Sequence, residues 1–384
     1  MAGGKDDRDL WQFCPAPPDW RLDWAKIEGT FACVRSLAGC PQNPAFHAEG
    51  DVLVHTRMVC EALAQSATWQ ALAPRERAIV FAATLLHDVG KPHCTKDENG
   101  RITSRGHSAC GAQIARGALW ELRPDASSLD FFQMREAVVA LVRHHGLPLY
   151  FLDRPDPERS VIEASMTARP DWLAILAAAD VCGRECTGKP ELLDRVALFC
   201  DFAAEHHCLT SPFRFPTDHT RFTYFRTPGR VPGVEIFDDT QCEVLLLSGL
   251  PASGKDAWLR EHARELPVIA LDQLRSELDV PPDDNQGAVT NEARDRARSM
   301  LRQRNSFAWN ATNTTRQLRR QLIDLFAGYR AKIRIVYVET SPDELTRRNG
   351  RRSHPVPEHV IERLRSRLNV PNATESHSIE VVIT

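Results

Sequence analysis

The first half of the sequence carries imidazoles and carboxylates in an ordered series: His55, then His87-Asp88, then His107, His144-His145 and finally Asp180. Side chains of these types in this number suit one or two divalent metals. A carboxylate such as Asp88 can bridge two metals, which together activate water and hold a phosphate. Taken singly, each histidine reads better as a structural residue; the ordered series is what points to a metal centre. Imidazole-rich donor sets favour Mn²⁺, Co²⁺, Ni²⁺ or Zn²⁺ over Mg²⁺.

The second half carries a different chemistry. Gly249-Leu-Pro-Ala-Ser253-Gly254-Lys255-Asp256 follows an apolar run and opens a helix. Glycines let the backbone wrap a phosphate, successive N–H groups and the helix start hold the anion, and the lysine reaches the outer phosphates. Bound ATP with Mg²⁺ is the expectation. Asp256 stands where Ser or Thr usually offers a hydroxyl to Mg²⁺, and a carboxylate there can hold the metal through water. Farther on, Asp272 sits at the edge of an apolar run with Arg275 three residues later. The Asp can accept a proton from an attacking hydroxyl, and the Arg can clamp a phosphate of the acceptor. The competing reading makes Asp272 the N-cap of a helix over Gln273–Leu278. Asn310, Thr312 and Asn313 end a further strand and can position that pair. Arg347, Arg348, Asn349, Arg351 and Arg352 form an arginine-rich loop suited to a lid over phosphates, or else a solvated basic helix end.

These residues need elements to hold them. Apolar positions recur at helical spacing over Val52–Leu63, Arg75–Leu86, Ala109–Leu122, Phe131–Val142 and Pro170–Val181, so residues 1–207 are expected to form an all-α domain. Residues 208–240, rich in Pro, Thr, Phe and Arg, read as a linker with some extended structure. From residue 241 strands alternate with helices: Glu243–Ser248, Val268–Leu271, Ser306–Asn310, Lys332–Val338 and Ile379–Ile383 read as strands. Alternation of this kind implies a parallel sheet over residues 241–384.

Composition sets the outer limits. Apolar residues at 42% and charged residues at 26% exclude wholesale disorder. No apolar run reaches the roughly 18 residues of a membrane span, and the first residues lack the apolar core of a secretory signal. Eleven cysteines without a CxxC pair suggest reduced thiols and a cytoplasmic protein. The net charge of -3 conceals an asymmetry: residues 241–384 hold 22 Lys+Arg against 19 Asp+Glu, and the remainder holds 26 against 32. Only Lys255 and Lys332 are lysines in that second part; its arginines are a mild hint of phosphate-rich ligands.

Two resemblances follow from these motifs. GLPASGKD, LDQLR, ATNTT and RRNGRRSHPVPEHVIERL resemble the polynucleotide 5′-hydroxyl kinase family over about 140 residues. The resemblance implies that Asp272 is the general base, Arg275 holds the acceptor's phosphate, and Arg348 and Arg352 are lid residues on ATP. It often has Asp where this chain has Asn310. The series from His55 to Asp180 resembles the HD-domain phosphohydrolase superfamily over about residues 20–200. That resemblance makes His55, His87, Asp88 and Asp180 core ligands, His107 and one or both of His144 and His145 additional ligands of a binuclear site, and Lys91 a contact to the scissile phosphate. HDVGKP, GHSACGA, ADVCGR and FHAEGDVLVHT are similar to HD domains attached to tRNA nucleotidyltransferases, although only about 45 residues precede the last of these, too few for a nucleotidyltransferase core.

The tandem order resembles bacterial HD-domain polynucleotide kinases. It implies a bifunctional enzyme that heals RNA or DNA ends: the metal site removes a 2′,3′-cyclic phosphate or 3′-phosphate, and the kinase phosphorylates a 5′-hydroxyl, leaving ends for a ligase. Two other readings stay open: an HD nucleotidase fused to a small-molecule or nucleotide kinase, and an HD phosphohydrolase regulated by ATP binding.

Overall fold

The computed structural model describes residues 10–123, 127–281 and 284–384. The described residues form two compact units, one of residues 10–123 with 130–214, the other of residues 127–129 with 215–281 and 284–384.

The first unit is built from helices whose ends the sequence caps. Asp51 accepts a hydrogen bond from Val54 N at 2.9 Å and starts the helix Val52–Ala64. Pro74 opens Pro74–Leu86, where Glu76 reaches back to Ala73 N at 3.2 Å. Residues 78–86 of that helix are all buried. The helix Pro170–Cys182 packs against Val52–Ala64, Pro74–Leu86 and Lys189–Glu205. It is apolar almost all round, as a core helix must be. Truncating one of its buried leucines, Leu176→Ala, would cost about 2–5 kcal/mol by loss of transfer energy and a residual cavity. Asp180 is buried on this helix and is therefore expensive unless it has partners.

The expected helical domain is present, with two local features the periodicity did not display. The unit is helical but not purely so: β1 (Lys96–Glu98) and β2 (Arg101–Thr103) form an antiparallel hairpin. Its turn is Asn99-Gly100, both at positive φ (59° and 81°), the geometry that two-residue hairpin turns need. Gly188 and Pro190 stand at the start of the long helix Lys189–Glu205, because proline is well tolerated in a first helical turn.

The second unit is a five-stranded parallel sheet of β3 (Cys242–Ser248), β4 (Val268–Ala270), β5 (Phe307–Asn310), β6 (Ala331–Glu339) and β7 (Ser378–Ile383), in the order β4-β5-β3-β6-β7. The expected α/β domain with a parallel sheet is present. Val244, Leu246, Ile333 and Ile335 face one apolar layer, which Phe222, Val289, Leu301 and Phe326 complete. Leu245, Leu247 and Val336 face the other, with Trp258 and Leu259. Strands covered on both faces read as apolar runs, which is why they were visible in sequence. Because β3 is central and later strands add on both sides of it, the loop after it opens at the carboxyl edge where ligands bind in such sheets.

The segment 208–240 divides between the units, with Arg214 in the first and Phe215 in the second. It contains a helix, Asp218–Arg226, started by Thr217, whose hydroxyl accepts from Thr220 N at 3.0 Å. Arg221 of this helix donates to Ala373 O at 2.9 Å and to His377 O. Its proline- and threonine-rich surroundings hid a short helix that belongs to the sheet's core.

Candidate active sites

In the helical unit, His55 lies one turn into its helix, His87-Asp88 follows Pro74–Leu86, His107 begins His107–Leu122, His145 follows Leu129–His144 and Asp180 closes Pro170–Cys182. Gly90 permits the assembly. A Cβ there would collide with His107 O and stand 2.6 Å from Gly111 N, so only glycine lets the His87-Asp88 turn sit against the start of the next helix.

Three histidines commit Nδ1 to the carbonyl three residues earlier: His87 to Thr84 O at 2.7 Å, His107 to Ser104 O at 2.7 Å and His145 to Val142 O at 2.8 Å. A carbonyl only accepts, so each Nδ1 carries a proton, and in the neutral ring each Nε2 offers a lone pair. Those lone pairs converge on Asp88. Its Oδ2 lies 3.2 Å from His87 Nε2 and 3.8 Å from His55 Nε2; its Oδ1 lies 3.5 Å from His107 Nε2 and 4.0 Å from His145 Nε2. Two donor groups result, His55–His87–Asp88 and Asp88–His107–His145, which share Asp88. Asp180 Oδ1 is 3.1 Å from His55 Nε2, and its carboxylate is also gripped by Arg184. His144 lies in neither group; the register places His145 inside.

This arrangement fits divalent cations on its own chemistry. His87 Nε2 and Asp88 Oδ1 are buried without a hydrogen-bond partner among the described residues. His107 Nε2 faces His145 Nε2 at 3.2 Å, two lone pairs in opposition. Unpaired buried acceptors of this kind cost about 1–3 kcal/mol each, and a cation satisfies them together. Burial would raise Asp88 and Asp180, but His87 and Lys91 beside Asp88, and Arg184 and His55 beside Asp180, hold both well below the usual carboxylate range. Burial and the neighbouring His107 and His87 push His145 down to about 3, so its ring is neutral and able to ligate at neutral pH. Lys91 Nζ is 2.7 Å from Asp88 Oδ2, beside the cluster.

In the sheet unit, the loop 249–254 joins β3 to the helix Lys255–His262. Gly249 has φ 146°, and a Cβ there would strike Val338 O, so the loop requires glycine. Lys255 Nζ donates to Gly249 O at 3.0 Å and Leu250 O at 2.7 Å, and Ser253 is buried. Burial pushes Lys255 down to about 8, against the opposing charges of Asp256 and Asp272; Arg352 acts with burial. Asp256, Asp272 and Arg352 are thus all near enough to act on the lysine's charge. Asp256 Oδ1 accepts from Asn310 Nδ2 at 2.6 Å, so the unusual carboxylate is fixed by the end of β5.

Asp272 does not cap its helix. The helix runs Leu271–Glu277 from Ala270, and Asp272 instead binds Arg275 Nη1 at 2.7 Å with its side chain 76% exposed. Arg275 Nε also donates to Gln286 Oε1 at 2.8 Å. Thr312 is half-buried and its carbonyl accepts from Gly249 N. Asn313, expected at the acceptor, is structural: it is buried and its Nδ2 donates to Leu247 O at 2.7 Å. The arginine-rich segment is a helix, Pro342–Gly350, and not a loop, because Ser341 caps it and accepts from Glu344 N. Arg348 Nη1 approaches Ser253 O at 3.4 Å, while Arg351 and Arg352 lie just beyond that helix in the turn that Asn349 pins to Val356.

Residues 51–182 match the family model of the HD domain, and residues 244–371 match that of an AAA domain. The chain carries an HD domain followed by an AAA-type P-loop domain. It is 37% identical over 103 residues to the CC-adding tRNA nucleotidyltransferase of Thermus thermophilus, a match that covers 26% of this chain and 21% of that protein. The chain thus spans about a fifth of the length of this curated relative. A solved structure, of a "putative kinase" from Chloroflexus aurantiacus, is similar at 16% identity with a TM-score of 0.31, covering 38% of this chain and 86% of that one.

The HD domain also uses residues that the spacing of motifs did not single out. Glu49 Oε1 lies 2.8 Å from both His47 Nδ1 and His55 Nδ1, and Glu49 Oε2 accepts from Glu185 N at 2.9 Å. Burial would raise Glu49, but the His55 ring, the backbone N–H of Glu185 and His47 outweigh it and bring it down to about 2. Glu49 is thus placed to hold a proton on His55 Nδ1, which would leave Nε2 open toward Asp180 and Asp88 for a cation. Its presence inside FHAEGDVLVHT was the available signal, but a lone acidic residue in a turn is ordinarily solvated.

Proposed function

We propose that this protein is a bifunctional nucleic-acid end-healing enzyme, a metal-dependent 2′,3′-phosphoesterase joined to an ATP-dependent polynucleotide 5′-hydroxyl kinase. The observation that carries the reading is the pairing in one chain of the convergent His/Asp cluster with a phosphate-binding loop whose lysine senses Asp256, Asp272 and Arg352.

In the HD domain, His55, His87 and Asp88 would hold one cation and Asp88, His107 and His145 a second, with Asp180 beside His55. Bound there, such cations, of the Mn²⁺, Co²⁺, Ni²⁺ or Zn²⁺ class, activate water and neutralise phosphate charge. Lys91 lies within reach of a phosphate oxygen beside Asp88. Water opens a 2′,3′-cyclic phosphate to a monoester, and a second water releases inorganic phosphate and leaves a free hydroxyl. In the kinase domain, Gly249, Ser253, Gly254 and Lys255 cradle the phosphates of ATP, Asp256 stands at the place of Mg²⁺, and Arg348 and Arg352 close over the transferring group. Asp272 takes the proton of the 5′-hydroxyl as its oxygen attacks the γ-phosphorus and ADP leaves. Arg275, oriented by Asp272 and Gln286, holds the acceptor's phosphate, aided by Thr312. The products suit a ligase. Eleven free cysteines fit a reducing cytoplasm, and no helix among the described residues is long and apolar enough to cross a membrane.

The test is incubation with ATP, Mg²⁺, Mn²⁺ and a labelled RNA bearing a 5′-hydroxyl and a 2′,3′-cyclic phosphate, alongside the DNA equivalent and free nucleosides and nucleotides. Conversion of both oligonucleotide ends is expected. Efficient turnover of the free compounds with untouched oligonucleotide ends would overturn the reading in favour of a small-molecule enzyme.

A further inference from the structure

Gln42 precedes the HD-domain match and belongs to none of the motifs above. Its segment is tied to the metal-site helix: Val52 N donates to Cys40 O at 3.1 Å, and Gly39 N donates to Asp51 Oδ2 at 2.7 Å. Gln42 is only 8% exposed. Its Oε1 accepts from Lys91 Nζ at 2.7 Å, and the same Nζ lies 2.7 Å from Asp88 Oδ2. An ammonium only donates, so the amide's orientation is fixed: oxygen toward Lys91, NH₂ away. That NH₂ is buried and donates to nothing among the described residues.

A buried amide donor without an acceptor is a standing cost, and native interiors hold few of them. Gln42 is one contact removed from Asp88, in a cluster whose chemistry suits phosphate. A cavity of about 500 Å³ is lined in part by Gly39, Cys40, Pro41, Pro92, Thr95 and Ile102. Pro41 and Pro92 are the immediate neighbours of Gln42 and Lys91 in the chain, while neither Gln42 nor Lys91 itself lines that cavity.

We propose that Gln42 is a substrate-binding residue of the HD domain, its Nε2 donating to an oxygen of the phosphate ester that Lys91 also meets. The proposal rests on the phosphoesterase reading and names a determinant of substrate affinity within it. Two variants separate this role from mere support of Lys91. Gln42→Leu removes both donor and acceptor. Gln42→Glu keeps an acceptor for Lys91, now charged, but has no donor and repels phosphate.

Three quantities are measured on the full chain loaded with Mn²⁺: the affinity for Mn²⁺, the affinity for inorganic phosphate, and KM and kcat for a 2′,3′-cyclic phosphate. A hydrogen bond to a charged group corresponds to roughly 10–100-fold in affinity. Phosphate affinity should fall and KM rise by about that factor in Gln42→Leu and by more in Gln42→Glu. Mn²⁺ affinity and melting temperature should hold. A Gln42→Glu protein with wild-type KM and phosphate affinity would overturn the proposal and leave Gln42 as a prop for Lys91. Wild-type protein that binds phosphate through Gln42 yet hydrolyses no phosphate ester would sink the phosphoesterase reading while leaving this contact standing. Hydrolysis by the wild type with both variants unaltered would sink the contact alone.

Discussion

Replacing Glu49 by Gln tests how the metal cluster is organised. The change conserves volume at a fully buried side chain and removes one charge. Two groups hydrogen-bond the carboxylate, His47 Nδ1 at Oε1 and Glu185 N at Oε2, and His55 Nδ1 lies 2.8 Å from Oε1 without a formed hydrogen bond among the described residues. Glutamine offers one acceptor oxygen. If that oxygen serves the rings, the NH₂ opposes Glu185 N–H, and a buried donor is left unpaired at a cost of about 1–3 kcal/mol. If it serves Glu185, the NH₂ faces His55 Nδ1, and the ring keeps a lone pair there by moving its proton to Nε2, where the cation should bind. Loss of an outer partner of this type typically weakens metal binding about 10–100-fold, or about 1.4–2.7 kcal/mol. Calorimetric titration of the metal-stripped full chain with Mn²⁺ should show that loss, with 5′-phosphorylation unchanged. Mn²⁺ affinity within about twofold of wild type, together with a lowered melting temperature, would refute the reasoning and leave Glu49 as an anchor for the Glu185 segment.

Asp88→Ala removes the carboxylate shared by both donor groups and should abolish 3′-end hydrolysis while sparing the kinase; Lys255→Ala should do the reverse, both read on one RNA with Mg²⁺ alone and then with added Mn²⁺. Full hydrolysis in Mg²⁺ alone would contradict the assignment of an imidazole-rich site to a transition metal. Asp272→Ala should slow 5′-phosphorylation by about 10²–10⁴-fold, the usual contribution of a general base, with ATP affinity kept; a near-wild-type rate would reduce Asp272 to a partner of Arg275. Lys255, pushed down from 10.5 to about 8, is charged below that pH. ATP affinity should therefore be full near pH 7 and fall as pH rises through 8, and Lys255→Arg should flatten the profile. The stability linkage has the opposite sign: the buried cation costs stability below about pH 8, and the cost is relieved as pH rises from there toward 10.5.

The sequence by itself determined the tandem of an HD domain and a P-loop domain and named most residues of the two candidate sites. Strands buried on both faces must be apolar runs, a phosphate loop must have glycine where the backbone turns back on the sheet, and capped helices announce their starts with Asp51 or Pro74. These are local rules, readable in one dimension. The Asn99-Gly100 hairpin and the start of the Lys189–Glu205 helix rest on equally local rules, a two-residue turn at positive φ and a proline in a first helical turn. Other decisions belong to tertiary structure alone. Whether His144 or His145 enters the cluster depends on how the helix Leu129–His144 is rotated against its neighbours, and that rotation is set by packing. Asp256 meets Asn310, 54 residues away, and Asn313 turns into the sheet, because the parallel register of β3 and β5 brings those strand ends side by side. Glu49 and Gln42 look like ordinary polar turn residues in sequence; burial makes them matter, since a charge or amide removed from water must find a partner, and the partners here, His55 and Lys91, arrive from other segments of the chain.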